Sequence, residues 1–297
     1  MQVATNRYYK DDQKGFRFQD KSGIFADSAF LNRIEQKLIL QVIGNRSVTC
    51  WLGGVVTDSK NTPYYVFGHN QMLAQERGSN RLSCRFTFAV IPFEDLYKLG
   101  SASALIDALS EAESSQNFKP TIWNIREGSL SALSNDLDRV LTDALAAYVV
   151  DEHVNFELHE SRSNCSEALS LIWVKSLFSR KMPVVALVDE PTVDMPQSGW
   201  LLYTRSGGEV KGGVLNTAHL APEQEYLYFA YRYVVTNWVD DFRRVFTPGE
   251  LERVSREIGS SNQKLLEPLL LWYYAIQNRM NLLPTEQEKA AMLRQIH

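Results

Sequence analysis

A chain of 297 residues with a formal charge of −4, 44% hydrophobic and 22% charged residues is a folded globular protein rather than a disordered one, with material for one large domain or two ordinary ones. The slight acidic excess argues against a general nucleic-acid binder, which needs a basic surplus. Three cysteines, Cys50, Cys84 and Cys165, lie far apart and are odd in number, which argues against a disulfide framework and a structural zinc site. The first ten residues hold no apolar signal core, and charges interrupt every apolar run well before the ~20 residues that cross a bilayer. The expectation is a cytoplasmic, reduced protein with no membrane partner.

Residues 5–24 alternate aromatic and polar side chains around Lys14-Gly15, the pattern of a hairpin or an arm laid on a sheet. Asp27 or Ser28 caps a helix whose Phe30, Leu31, Ile34 and Leu38 recur at helical spacing. Ser47–Leu52, a bulge or close approach at Gly53-Gly54, Val55-Val56, and Tyr64–Phe67 predict a hairpin with its turn over residues 58–63. Gly68-His69-Asn70 reads as its break. Leu82–Ile91 is the clearest strand of the first half, with Phe86, Phe88 and Val90 on one face and Arg85 and Thr87 on the other. A short helix over 93–99 and a second with Leu105, Ile106 and Leu109 inward follow. The Ser-rich segment 111–119 is the best internal boundary.

From residue 121 to 190 three strand-like runs (121–126, 154–159, 184–189) alternate with two amphipathic helices (130–148 and 166–178), which predicts a parallel βαβαβ unit. Trp200–Thr204 and Val210–Leu215 predict a second hairpin. Residues beyond 222 read as helical, with capping boxes at Thr247–Glu250 and Thr285–Glu288. The fold class is α/β with mixed α+β character, on a mixed sheet. Three modules are expected: 1–120, mixed α/β; 121–216, the βαβαβ unit and hairpin; and 217–297, helical.

His153, Asn155, Glu157 and His159 alternate with apolar residues, so period two puts them on one strand face. Two imidazoles and a carboxylate there are candidate metal ligands or an acid–base pair. A solvated polar face explains the same pattern. Cys165 stands just before a predicted helix, where the N-terminus lowers a thiol's pKa, so a Cys–His hydrolase is a second catalytic candidate. A buried structural cysteine is its ordinary alternative. Val184–Glu190 has the shape of a Walker B strand, yet no G-x-x-x-x-G-K-[ST] cradle exists to serve it. Arg126, Asp189 and Glu190 are then charges at strand ends, where parallel sheets place their ligands. No cofactor is indicated. Tyr226, Phe229 and Tyr233 are candidate interface residues on an aromatic helix.

Residues Gln75 to Pro92, followed by Asp95-Leu96 and Leu99-Gly100, resemble the N-terminal module of the GTPase-associated proteins of bacterial conflict systems. Tyr8-Tyr9 and Gly15-Phe16 match that module's early aromatic arm, and the resemblance covers about the first 110 residues. It implies an adaptor that couples a separate GTPase to an effector, and no catalytic residues carry over. The functional expectation is thus a non-enzymatic adaptor with protein partners. The alternative is a metal-assisted or thiol-dependent hydrolase built on the face of 153–159.

Overall fold

The computed structural model describes residues 2–11, 15–39, 49–73, 83–99, 101–114, 122–124, 135–176, 181–189, 199–204 and 208–221, together with Gln224, Tyr228, Tyr231, Arg232 and Val235. It separates into two compact units. The first holds Met1–Leu133, Asn155–Ser170 and Pro183–Lys211; the second holds Ser134–Val154, Leu171–Met182 and Gly212–His297. The units do not follow chain order, so the three modules read along the sequence do not map one to one onto them.

The first unit is built on a mixed ten-stranded sheet. Its strands are β1 (Gln2–Asp11), β2 (Gly15–Phe18), β3 (Cys50–Thr57), β4 (Pro63–Leu73), β5 (Ser83–Pro92), β6 (Ile122–Asn124), β7 (Phe156–His159), β8 (Val184–Val188), β9 (Gly199–Tyr203) and β10 (Glu209–Gly212). The order is β10-β7-β9-β8-β3-β4-β5-β1-β2, with β6 also pairing β1. Strands β1 to β5 meet as antiparallel neighbours, whereas β7 and β8 both run parallel to β9. The mixed α/β class is therefore as the sequence indicates.

The expected N-terminal hairpin forms, with Tyr8 opposite Phe18 and Asp11 opposite Gly15. So does the β3–β4 hairpin, but Gly68 does not break it. Strand β4 runs on to Leu73, and β5 packs tightly at Gly68: a Cβ there would lie 2.5 Å from the Thr87 carbonyl oxygen. The glycine is a packing requirement, not a stop. At Gly53 a Cβ would collide with the Tyr65 ring, in keeping with the close approach read from the sequence.

Two further expectations are corrected. Strand β6 pairs antiparallel with β1, so the parallel set is β7, β9 and β8 rather than three strands in chain order. And β9 and β10 form no hairpin: β9 lies between β7 and β8, and β10 sits outside β7. The reason is hydrophobicity. Trp200, Leu201, Leu202 and Tyr203 are all buried, as a central parallel strand covered on both faces requires. All four residues of β10 are exposed, which suits a sheet edge.

One sheet face is covered by α1 (Ser28–Ile34), which continues as a π-helical turn over Glu35–Ile39. Phe30, Leu31, Ile34, Leu38 and Ile39 pack there against Tyr8, Leu52, Phe86, Phe88, Val90, Ala186 and Leu201. The helical spacing on α1 and the period-two spacing on the strands thus point at one core. Asp27 is the cap: its carboxylate accepts from the backbone N–H groups of Ala29 (2.9 Å) and Phe30 (3.1 Å). It also accepts from Ser59 N–H at 2.7 Å, which ties the β3–β4 turn to the helix. Arg33 pins the same turn by donating to the Thr57 carbonyl (2.9 Å) and hydroxyl (3.0 Å). The helix α2 (Ala102–Ser114) buries Leu105, Ile106 and Leu109, as its pattern predicts.

In the second unit, α3 (Asn135–Val150) and the last residues of α4 (Arg162–Ser176) enclose Lys175, whose ammonium lies 3.0 Å from Asp138 and donates to Thr142 at 2.9 Å. Tyr231 donates to the Lys175 carbonyl at 2.9 Å. A buried ammonium is tolerated here because carboxylate and hydroxyl replace its water. Among the described residues, no helix is long and apolar enough to cross a membrane.

Asp27 yields a pH prediction. Hydrogen bonds, first of all those from Ser59, hold its carboxyl down at about 2, below the ordinary 3.8. A depressed carboxylate contributes stability above its unfolded pKa and loses it as the pH falls through the folded value. Asp27→Ala should therefore lower the thermal midpoint at neutral pH, and the gap to the parent should close between about pH 4 and pH 2. A gap unchanged across that range would show that the cap is not the source.

Candidate functional site

Because β7, β8 and β9 are parallel, their C-terminal ends lie side by side, the usual ligand position in such sheets. The ladder continues one step past the strands: Glu160 N–H donates to the Tyr203 carbonyl and Thr204 N–H to the Val188 carbonyl, both at 3.0 Å. The charges gathered here are taken up locally. Asp189 accepts the Thr204 hydroxyl at 2.7 Å and lies 3.5 Å from the Arg162 guanidinium. Glu160 accepts from the Asn164 amide at 3.0 Å.

Of the four-residue polar face predicted on this strand, only Glu157 and His159 belong to β7. They share a face two residues apart, with His159 Nε2 3.6 Å from Glu157 Oε2. That is an ion-pair distance for a protonated imidazole and too long for a hydrogen bond. The His159 ring lies stacked on Tyr203, its centroid 4.5 Å away and its plane 16° off. His153 is not on the strand. It sits exposed in the turn that leaves α3, where its N–H donates to the Asp151 carboxylate at 2.9 Å. Val154 N–H closes the turn on the Asp151 carbonyl. The Asp151 side chain offers the backbone a turn before the strand can start. Among the described residues, no group of three or more His, Cys, Asp and Glu side chains is placed to hold a metal ion.

Cys165 lies inside α4, not ahead of it. The helix begins at Arg162, and the Ser161 hydroxyl accepts from Asn164 N–H at 3.2 Å. The buried thiol points at the carbonyls of Tyr203 (3.4 Å) and Glu160 (3.6 Å). Burial above all pushes it up to about 12, outweighing any help from the helix N-terminus. A thiol so placed is a packing group rather than a nucleophile at neutral pH.

Arg126, Glu190, Tyr226, Phe229 and Tyr233 lie outside the described residues. Their neighbours Tyr228, Tyr231 and Val235 are helical and buried, at spacings of three and four. They mark an inward helix face.

A second constellation centres on His69, which the sequence pattern placed in a break after the hairpin. His69 lies within β4, and its Nδ1 is 2.7 Å from Glu113 Oε2, contributed by α2. Gln71 donates to the same oxygen at 3.1 Å. The imidazole stacks on Trp51, directly opposite on β3, at 4.4 Å. Tyr65, Phe67, His69 and Gln71 follow one period-two face, and that alternation was the available signal. Glu113 is 44 residues away in the chain, so the pairing itself could not be read.

The chain matches no family model, no curated protein and no solved structure.

Two outcomes are expected. In native protein at about pH 8, Cys165 should resist a thiol reagent, read by mass spectrometry of its peptide, and label only on unfolding. Rapid native labelling would contradict its burial. Glu113→Ala should destabilise the fold by about 1–3 kcal/mol in denaturant melts, since it leaves half-buried polar groups on His69 and Gln71 without their partner. An unchanged midpoint would show that the pair is not holding α2 to the sheet.

Proposed function

We propose that the chain is a non-enzymatic adaptor that works by holding protein partners. The observation that carries this reading is the state of the parallel strand ends. Asp189, Glu160, Thr204, Arg162 and Asn164 are engaged with one another, and Cys165 is buried against two carbonyls. Groups held this way stabilise the junction between strands and α4, which supports a structural role for this end of the sheet. The further step, that one partner is a GTPase coupled to an effector in a bacterial conflict system, rests on the resemblance of the N-terminal residues alone.

The alternative hydrolase keeps one supporting observation, the Glu157–His159 pair, whose two side chains face the same way within 3.6 Å. Tagged full-length chain is recovered from its native host with GTP or GDP present, and co-eluting proteins are assayed for GTP hydrolysis. The adaptor reading expects a stoichiometric partner with that activity, and Glu157→Ala and His159→Ala variants that recover it equally. A chain that elutes alone and carries a hydrolytic activity abolished by His159→Ala would overturn it.

A further inference from the structure

The start of α2 is tied to α4 within the first unit. Ala102 N–H donates to the Ser170 hydroxyl at 2.7 Å, and that hydroxyl donates to the Ser166 carbonyl at 2.9 Å. Beside this buried tie the two helices line a pocket of about 210 Å³. Its most buried lining residues are Ile106 from α2 and Ser166 from α4, which are 4% and 7% exposed. Ser166 differs from Ser170, one turn on. Its hydroxyl finds no hydrogen-bond partner among the described residues, yet it is not sealed from solvent. A nearly buried hydroxyl is ordinarily bonded, and this one is open only towards the pocket it lines.

Each helix brings the same pattern to the pocket: a serine, then the buried residue three positions on, then a carboxylate four positions on. Helix α2 supplies Ser103 and Asp107 around Ile106, and α4 supplies Ser163 and Glu167 around Ser166. Those spacings place each trio on one helix face. Neither Asp107 nor Glu167 forms a hydrogen bond or ion pair among the described residues, and Glu167 is half-buried. Positive charge borders the same space. Arg162 opens α4 and lines the pocket, with Nη1 3.5 Å from Asp189. The first turns of both helices add backbone N–H groups that have no intrahelical acceptor. Two further carboxylates near the start of α4 are engaged elsewhere: Asp189 accepts the Thr204 hydroxyl, and Glu160 accepts from the Asn164 amide.

We propose that this pocket between α2 and α4 binds a free α-amino acid. Lining groups of both signs select a ligand that carries both. Its ammonium meets Asp107, Glu167 and the Ser166 hydroxyl; its carboxylate meets the Arg162 fork and a helix start. Ile106 offers apolar contact to its carbon atoms. A simple anion would lie against two carboxylates, and a simple cation against Arg162 and two helix N-termini. A neutral sugar would leave both carboxylates without a counter-charge. The volume falls below the roughly 300 Å³ at which sites for drug-sized ligands begin, which suits a small metabolite. The inference is independent of the adaptor reading.

The test is isothermal titration of the full chain with each standard L-amino acid in turn at fixed ionic strength, with glucose as the uncharged control. Saturable binding of at least one of them, at one molecule per chain, is expected. Its methyl ester, which loses the carboxylate charge, and its N-acetyl derivative, which loses the ammonium, should each bind at least tenfold more weakly. The free amino acid should lose at least tenfold in affinity in Glu167→Gln, on the half-buried wall. Ser166→Ala is the second variant should the Glu167 change disturb folding, as checked by far-UV circular dichroism, and the same loss is expected of it. No saturable binding by any of the amino acids, binding of the ester, the N-acetyl derivative or glucose as tight as that of the free amino acid, or unchanged affinity in the folded Glu167 and Ser166 variants would overturn the site.

Discussion

The first unit depends on hiding two strands that are apolar on both faces. Val185, Ala186, Leu187 and Val188 of β8 and Trp200, Leu201, Leu202 and Tyr203 of β9 are all buried. Each large apolar side chain contributes about 1.5–3 kcal/mol relative to leaving it in water. Such strands have no polar face to offer solvent, so they occupy the interior of the sheet with cover on both sides. Placing β9 between β7 and β8 achieves this. It sends the polar β10 to the edge and lets β8 join the antiparallel half through β3. The mixed character of the sheet follows from that one demand.

The same demand explains which parts of the fold could be read from the chain. Elements with one polar and one apolar face were legible: α1 through Phe30, Leu31 and Ile34, and α2 through Leu105, Ile106 and Leu109. Strand order was not. Trp200–Thr204 and Val210–Leu215 look like a hairpin because they are close in sequence, and the difference in hydrophobicity that separates them acts only through neighbours from elsewhere. Gly68 misled for a related reason. Glycine marks a turn or a close approach with equal force, and only the presence of β5 decides between them.

The candidate sites show the same division. Period two correctly put Glu157 and His159 on one face, but the strand begins too late to include His153, because Asp151 closes a turn first. Helix α4 begins a turn earlier than its apolar pattern suggests, which moves Cys165 from an exposed approach into the packed interior. Conversely, the His69–Glu113 pair joins residues 44 positions apart. Packing of α2 on β4 creates it, and no local motif announces it. At the parallel strand ends, the described side chains of Asp189 and Glu160 bond to Thr204 and Asn164.

The central claim is that β9 is an interior strand held on both sides and β10 is an edge. Native-state hydrogen exchange read residue by residue tests it directly. Backbone amides of Leu201 to Tyr203 should exchange as slowly as those of Val185 to Leu187, through the largest opening of the first unit, while those of Val210 and Lys211 exchange rapidly. Amides of β9 that exchange as fast as those of β10 would contradict the strand order and the account built on it.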